Sequence, residues 1–545
     1  MSSILPPSFH TGGLDSLTGS IHAVTESLPE CLVTLLSSKT AIVLTTSAAA
    51  VFSWFFISYH TSPLKQYPGP YLAGWTNIWR LRQAISADYA PRIKKLHEKY
   101  GPVVRLGPNL LDLDYPELSS TVYNTDGKWT KTDFYKNSSS YVDGKLTYHM
   151  FSQVDNVEHA KLKRPVVRHY SVPSVLAMEP HMDAVIADFC DHLDKRFAKT
   201  GDVCDFSNWL SFCLLRSIDA WDFLGAVTFS QKFGYLAEGR DFDGTLDTGD
   251  KSIDYLGMCG QMPWLDWVLD KNPIYPLGPP NISNVTRIAV ENMTARLQGE
   301  DKNFDPEKPD FLQYFIDSMT THPEVVDPPT IIGYLLLNLI AGADTTAITM
   351  HALFYRCLRD QRIWKRLVAE VRENVHTTDP CPHSTARALP YLEAVIKETL
   401  RYHPAVSMCM ERVVPSTGLT LPDGRFIPGG SFVGMNPYIV GRNKSVFGAD
   451  ADDFYPDRWL QKSDESDETF KKRMQLWASA SLTFGGGSRI CLGRNLSQME
   501  VYKVVPTLIS RFDIELDDPK KEWWTSSRWF YRTKEVICRI KPRAA

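Results

Sequence analysis

Residues 331–354, IIGYLLLNLIAGADTTAITMHALF, carry one charge in 24 positions, and no other stretch restricts the fold so tightly. By length alone such a helix could cross a bilayer. Asn338, Asp344, Thr345 and Thr346 oppose that reading, because a carboxylate facing lipid in mid-helix is expensive. A helix apolar on every side, with a polar notch at its centre, suits the middle of a large soluble core. The spacing predicts that it starts at DPPT (327–330) and runs to about Arg359, with Asp327 or Thr330 as cap and proline tolerated in the first turn.

A second apolar run, 41–59, reads AIVLTTSAAAVFSWFFISY without a charge. A helix of that length rises roughly 28 Å, about the hydrocarbon thickness of a bilayer. A cleaved signal peptide is the competing reading, but the residues before the run carry no basic side chain ahead of Lys39. Lys65, Arg80, Arg82, Arg92, Lys94 and Lys95 follow it, so the positive-inside bias puts the rest of the chain in the cytosol. The predicted organisation is a tail (1–40), a transmembrane anchor (41–59), a stiff proline-rich tether (60–70, with PLKQYPGP at 63–70) and one large domain (71–545).

Within that domain the pattern is helical over 75–99, 155–200 and much of 285–320. GPVVRLGPNLLDLD (101–114) reads as a hairpin, and GLTLPDGRFIPGG (418–430) as a second one turning at Asp423-Gly424. The class is therefore mainly α with a minor β region. A net charge of −4 among 545 residues argues against nucleic acid as the main partner. The ten cysteines are scattered with no Cys-x-x-Cys pair, which disfavours structural zinc and suits buried thiols of a reducing compartment.

FGGGSRICLG (484–493) sets one cysteine among bare glycines, just ahead of a helical pattern at 492–512. A lone cysteine is usually a small buried hydrophobe. Here Gly485, Gly486 and Gly487 are expected to leave room for a broad flat ligand, and a thiol at a helix N-terminus is favoured as thiolate. The loop lacks Gly-Lys-Ser/Thr and Gly-x-Gly-x-x-Gly, which argues against phosphate binding.

Phe484-x-x-Gly487-x-Arg489-x-Cys491-x-Gly493 resembles the haem-binding signature of the cytochromes P-450, the haem-thiolate monooxygenases. Three further stretches resemble family motifs in the family's order. AGADTT (341–346) is similar to the oxygen-activating notch, in which Ala341 and Gly342 let the helix approach the haem while Asp344 and Thr345 deliver protons. The alternative is that Thr345 only bonds back to the Ala341 carbonyl. Glu398 and Arg401, with Phe454-x-Pro456-x-Arg458-Trp459, resemble a structural Glu–Arg–Arg network. His159 and Lys163, Arg412, and Arg489 resemble haem-propionate ligands, although lysine stands at 163 where the family more often has arginine.

The resemblance covers roughly residues 65–540 and is greatest to membrane-bound fungal enzymes of secondary metabolism. It implies the cytochrome P-450 fold behind a single N-terminal transmembrane helix, with haem b (iron protoporphyrin IX) on Cys491. It also implies dioxygen as co-substrate, an apolar small-molecule substrate, and NADPH electrons from a separate reductase at the endoplasmic reticulum. Lys471-Lys472-Arg473 would dock that reductase or simply face water beside DESDE (464–468). GMCGQMPWLDWVL (257–269) would dip into the membrane interface or lie in the core, and Ala405 to Met410 would line the substrate pocket. A haem-thiolate isomerase, dehydratase or peroxide-using enzyme competes within the same fold. A non-catalytic membrane-anchored haem binder competes from another class.

Overall fold

In the computed structural model, which describes residues 30–142, 145–207, 209–210, 220–272, 274–275, 277–278, 283–377 and 379–543, the apolar run 331–354 belongs to one helix, Pro328–Arg359. Asp327 is its cap, accepting from the Thr330 amide at 2.9 Å, and both prolines sit in the first turn. Ile331, Leu335, Leu339, Ala347 and Leu353 are fully buried, and each of the isoleucine and leucine side chains contributes about 1.5–3 kcal/mol. The helix has protein on several sides, packing on helices Ala220–Phe229, Ser283–Gln298, Pro390–Tyr402 and Arg494–Arg511. It is the core helix that its polar notch predicts.

The chain divides between Ser62 and Pro63 into two units. The described part of the first is the helix Glu30–Thr61, whose stretch Ile42–Thr61 is long and apolar enough to cross a membrane and has no buried residue. The predicted tether does not hold as a tether. Leu64 and Tyr67 are buried in the second unit, the Tyr67 hydroxyl donates to the Phe426 carbonyl at 3.0 Å, and the Arg105 amide donates to the Pro68 carbonyl at 2.7 Å. The prolines stiffen the segment, but its two large side chains pull it onto the second unit, which begins at Pro63 rather than 71.

Helices dominate, and the strands are short. Val103–Gly107, Leu110–Leu113, Phe432–Gly434 and Arg412–Val413 form a four-stranded sheet in that order, its central pair parallel and its outer pairs antiparallel. Phe512–Leu516, Ile537–Pro542 and Val203–Asp205 form a second sheet. The hairpin at 418–430 turns at Gly424, with φ of 84°, as predicted. The stretch expected to be helical over 75–99 holds two helices, Ile78–Ile85 and Tyr89–Tyr100, after the short helix Tyr71–Trp75. Its break at 86–88 has a tertiary cause, because the Ser527 amide bonds the Ala87 carbonyl and Asp88 bridges to Ser527. Residues that far apart leave no trace in local periodicity.

Candidate active site

Gly485 and Gly487 adopt φ of 71° and 59°, the left-handed region that favours glycine. Loop 484–493 presses on Tyr123 and Asn124. A β-carbon on Gly486 would stand 2.9 Å from Tyr123 Cβ, and one on Gly487 only 2.5 Å from the Tyr123 carbonyl oxygen and closer still to that of Asn124. The Ser488 amide donates to Asn124 at 3.1 Å. Gly486 and Gly487 therefore answer to the chain's own packing, which corrects the expectation that all three glycines make way for a ligand. The loop closes where the Cys491 amide donates to the Phe484 carbonyl at 2.8 Å.

Cys491 precedes the helix Arg494–Arg511. Seven other described cysteines are buried; Cys491 is the exposed one, and its bare surface opens on an internal cavity. Burial raises its thiol pKa and outweighs the Gly493 and Arg494 amides and the Arg494 and Lys163 charges, which favour thiolate. The amide cradle is present as expected, but the cradle alone does not hold the sulfur as thiolate; a cation on the sulfur would.

The cavity measures about 1070 Å³, against roughly 300–1,000 Å³ for a small-molecule site, so it has room for a prosthetic group and a substrate together. Ala341, Gly342, Thr345, Phe484, Gly493 and Cys491 belong to its wall, and so do His159, Lys163, Arg412 and Arg489. Those bases are crowded. Burial and then Arg489 push His159 down to about 2, and burial and then Arg412 push Arg489 down to about 10. Lys163 is lowered by burial, Arg489 and Arg494. Lys131 joins them: its Nζ lies 4.3 Å from the Tyr135 and Phe151 ring centroids, and burial with Arg489 and Arg412 drives its pKa far down. Buried cations this close need anions. A group bearing carboxylates and a thiolate-seeking metal fits both ends of the cavity. Lys131 escaped the sequence reading because nothing local marks it; its place comes from the backbone bridge between Lys131 and Arg412.

Not every base is aimed alike. Arg489 spends its guanidinium on the carbonyls of Gln153, Val154 and Asp155 and on Asn156 Oδ1, at 2.7–3.1 Å. It clamps the start of the His159 helix, Asn156–Lys163, to the loop. Lys163 donates to the Ser488 carbonyl at 2.8 Å, so its lysine serves the loop backbone. Arg412 stands over the Tyr123 ring at 4.9 Å.

On the central helix the Thr345 hydroxyl donates to the Ala341 carbonyl at 3.1 Å, and its lone pairs remain able to accept. Gly342 faces Leu224, 3.0 Å from where a β-carbon would sit. Asp344 is half-buried and is not among the cavity-lining residues. Burial opposes the charge of Arg532, but Asp250, Asp344 and Asp254 outweigh it and raise its pKa, so the acid of the notch adjoins an ion-pair cluster while the alcohol lines the cavity. A second polar group went unnoticed in the sequence: Thr346 bonds Ser497 Oγ at 2.9 Å beside Glu500, whose buried carboxyl is raised well above its usual range.

Glu398 and Arg401 form the expected fork, at 2.7 and 2.8 Å, and Arg458 adds a bond at 3.1 Å. Ala405, Val406 and Met410 line the cavity, whereas Met408 and Cys409 are buried elsewhere. In 257–269 the two readings share the segment, with Cys259 and Asp266 buried and Trp264 and Trp267 exposed. Arg473 turns to Glu465 and to the Leu460 carbonyl, and Lys472 pairs with Glu468, so the 471–473 run is largely neutralised by its own acids.

A haem-sized cavity with one bare cysteine, inside a mainly helical fold, defines a haem-thiolate protein, and the comparisons agree. The Cytochrome P450 family pattern matches residues 68–537. Cytochrome P450 monooxygenase cfoH of Aspergillus candidus is 44% identical over 536 residues, covering 98% of this chain and 97% of the relative. Cytochrome P450 monooxygenase cicH of Emericella nidulans is 36% identical over 487 residues, covering 88% and 94%. A Cytochrome P450 monooxygenase of Aspergillus terreus is 34% identical over 461 residues, covering 83% and 90%. The chain belongs to the cytochrome P450 family and is a monooxygenase of the oxidoreductase class.

Proposed function

We propose that the protein is a membrane-anchored enzyme that inserts one oxygen atom of dioxygen into an apolar small molecule, with NADPH electrons delivered by a separate reductase. The reading rests on one observation: the bare Cys491 sulfur, a crowd of bases and the Thr345 hydroxyl share a single cavity. The Cys491 sulfur would ligate haem b, and His159, Arg412 and Lys131 would face its carboxylates. So held, haem supplies dioxygen activation, with thiolate donation weakening the O–O bond.

The chain's own groups do the rest. Thr345 Oγ1, its own proton held by the Ala341 carbonyl, presents an acceptor to the cavity. Asp344 passes protons to it from the Arg532 side. Arg489 and Lys163 hold the loop and the His159 helix together, so that the sulfur keeps its place. Ala405, Val406 and Met410 offer apolar surface and orient the substrate. The Ile42–Thr61 helix anchors the enzyme in the endoplasmic reticulum, with the basic residues after Tyr59 in the cytosol. Its product belongs to secondary metabolism, as in the fungal enzymes that the chain resembles.

Cys491→Ser tests the ligand. The purified variant loses the red-shifted ferrous–CO Soret band of thiolate ligation; a retained band would refute the assignment. The unaltered enzyme with reductase consumes NADPH in a substrate-dependent way under oxygen. A stable haem band without that consumption would favour a non-catalytic haem binder.

A further inference from the structure

Two walls of the cavity come from distant parts of the chain. The helix Thr245–Cys259 supplies Ser252, Ile253, Tyr255 and Leu256, and the hairpin 524–534 supplies Trp529 and Phe530. They approach closely at Gly257, where a β-carbon would stand 3.1 Å from Trp529 Cβ and 3.3 Å from its amide nitrogen. Asp250, Asp254 and Gly257 follow the i, i+4, i+7 spacing, so all three lie on one face of the helix.

The hairpin is fixed from behind. The Ser527 amide donates to the Ala87 carbonyl at 2.6 Å, the Tyr531 amide to the Ala405 carbonyl at 2.8 Å, and the Trp529 carbonyl accepts from the Ser407 amide at 3.1 Å. His351 Nδ1 meets Thr533 Oγ1 at 3.2 Å, which ties the hairpin to the central helix. Among the described residues, no backbone-to-backbone bond joins the helix Thr245–Cys259 to the hairpin.

Charge joins them instead. Asp254 takes Arg528 on one carboxylate oxygen and Arg532 on the other, the second at 2.5 Å. Arg532 also reaches Asp250, with Nε 3.0 Å from Oδ1 and Nη2 donating to the Asp250 carbonyl at 3.0 Å. The side chains of Arg532, Asp250 and Asp254 are 10, 12 and 17% exposed, so water competes little for them. Breaking a buried ion pair is costly when one partner is left without a counter-charge. Asp250 and Asp254 would move with the helix, and Arg532 would stay with the hairpin. Asp344 meets that cost: its charge acts on Arg532 from the central helix, to which the hairpin is tied.

We propose that Asp250, Asp254, Arg528 and Arg532 form a latch, and that bulky ligands enter the cavity between the helix Thr245–Cys259 and the hairpin when it opens. Closed, the latch holds the two apolar walls together at the Gly257 contact. Open, it leaves Arg532 facing Asp344, so the buried guanidinium keeps an anion throughout.

The test uses the full-length enzyme and two ligands of the haem iron, 4-phenylimidazole and carbon monoxide, with association followed at the Soret band by stopped flow. Asp254→Asn and Arg528→Met each speed 4-phenylimidazole about tenfold, the factor that one lost charge-assisted bond implies. Carbon monoxide keeps its parental rate, because a diatomic needs no opening. The two changes together gain no more than Asp254→Asn alone, since both break one contact. Asp344→Asn slows 4-phenylimidazole, because the open state then strands Arg532. Hydrogen exchange, which does not depend on the haem, quickens in the latch variants over 245–259 and not over 524–534. Parental 4-phenylimidazole rates in Asp254→Asn and Arg528→Met overturn the latch, and so does additivity of the two. A rate in Asp344→Asn that is unchanged or faster overturns the role of Asp344. If carbon monoxide also binds faster and exchange rises across the hairpin, the variants have loosened generally and the gate is overturned.

Discussion

Replacing Glu398 with glutamine puts a number on the buried Glu398–Arg401–Arg458 network. The Glu398 carboxylate is fully buried and accepts five hydrogen bonds: two from Arg401, one from Arg458, one from Trp459 Nε1 at 2.9 Å and one from the Tyr455 amide at 2.6 Å. Arg401 also reaches the carbonyls of Gly441, Ala451 and Asp453, and Arg458 those of Phe447 and Asp450. Glutamine keeps the shape but leaves two buried guanidiniums facing each other, with only the half-exposed Asp450 carboxylate nearby. Removing one partner of a buried ion pair costs about 3–5 kcal/mol, a large share of a total near 5–15 kcal/mol. Expressed in the unfolding rate, about 3 kcal/mol is roughly 150-fold. Arg458→Met alone removes charge-assisted bonds but leaves Glu398 neutralised by Arg401, so about 1.5–3 kcal/mol is expected. In the Glu398→Gln background the same change also relieves repulsion, so the double variant should cost about 1–2 kcal/mol less than the sum. The assay is the decay of the red-shifted CO band at fixed urea. Additive losses, or a Glu398→Gln enzyme that decays at the parental rate, would refute the electrostatic account.

Thr345→Ala should retain haem and divert reducing equivalents to peroxide, measured as peroxide per NADPH; unchanged coupling would leave Thr345 purely structural. Gly487→Ala should lose more haem on expression than Gly485→Ala. Both positions have positive φ, at about 1–2 kcal/mol for an L side chain, but only the Gly487 β-carbon strikes backbone, while that of Gly485 clears the nearest atom at 3.6 Å. Burial opposes the charge on His97, yet Asp112, 3.6 Å away, and Asp114 outweigh it and raise its pKa. A raised folded pKa gives stability that is complete below about pH 6.5 and fades as pH climbs through the folded value. The urea midpoint of the unaltered enzyme should therefore fall over that range relative to His97→Gln, and parallel curves would contradict the pairing. Beginning the chain at Pro63 should reduce membrane association while keeping the CO band, since the Pro63–Ala545 unit has its own core; loss of the band would give the first unit a folding role.

What the sequence made legible was whatever physics writes locally. The Pro328–Arg359 helix is visible because a helix set between the core and the cavity is apolar at most positions, and its polar notch stands out against that background. The cysteine loop is visible because positive φ at Gly485 and Gly487 demands glycine in a run. The break at Ser86–Asp88, the docking of Leu64 and Tyr67, and the place of Lys131 among the bases were not visible, and all three share one cause. Each depends on a partner far along the chain: Ser527 for the first, Arg105 and Phe426 for the second, Arg412 and Arg489 for the third. A lysine between Trp129 and Phe134 looks like any surface charge until the topology closes a cavity around it.

The same distinction explains why the reaction class was easier to read than the substrate. Thiolate ligation and proton delivery need side chains in fixed register on the Cys491 loop and the central helix, so their spacing survives as a motif. Cavity-lining residues need only reach a common space, and they come from the turn at 133–138, from Val406 and from the 524–534 hairpin that carries Trp529. The isolated bridge between Val406 and Phe530 brings the last two together. Nothing in the order of residues along the chain records that meeting.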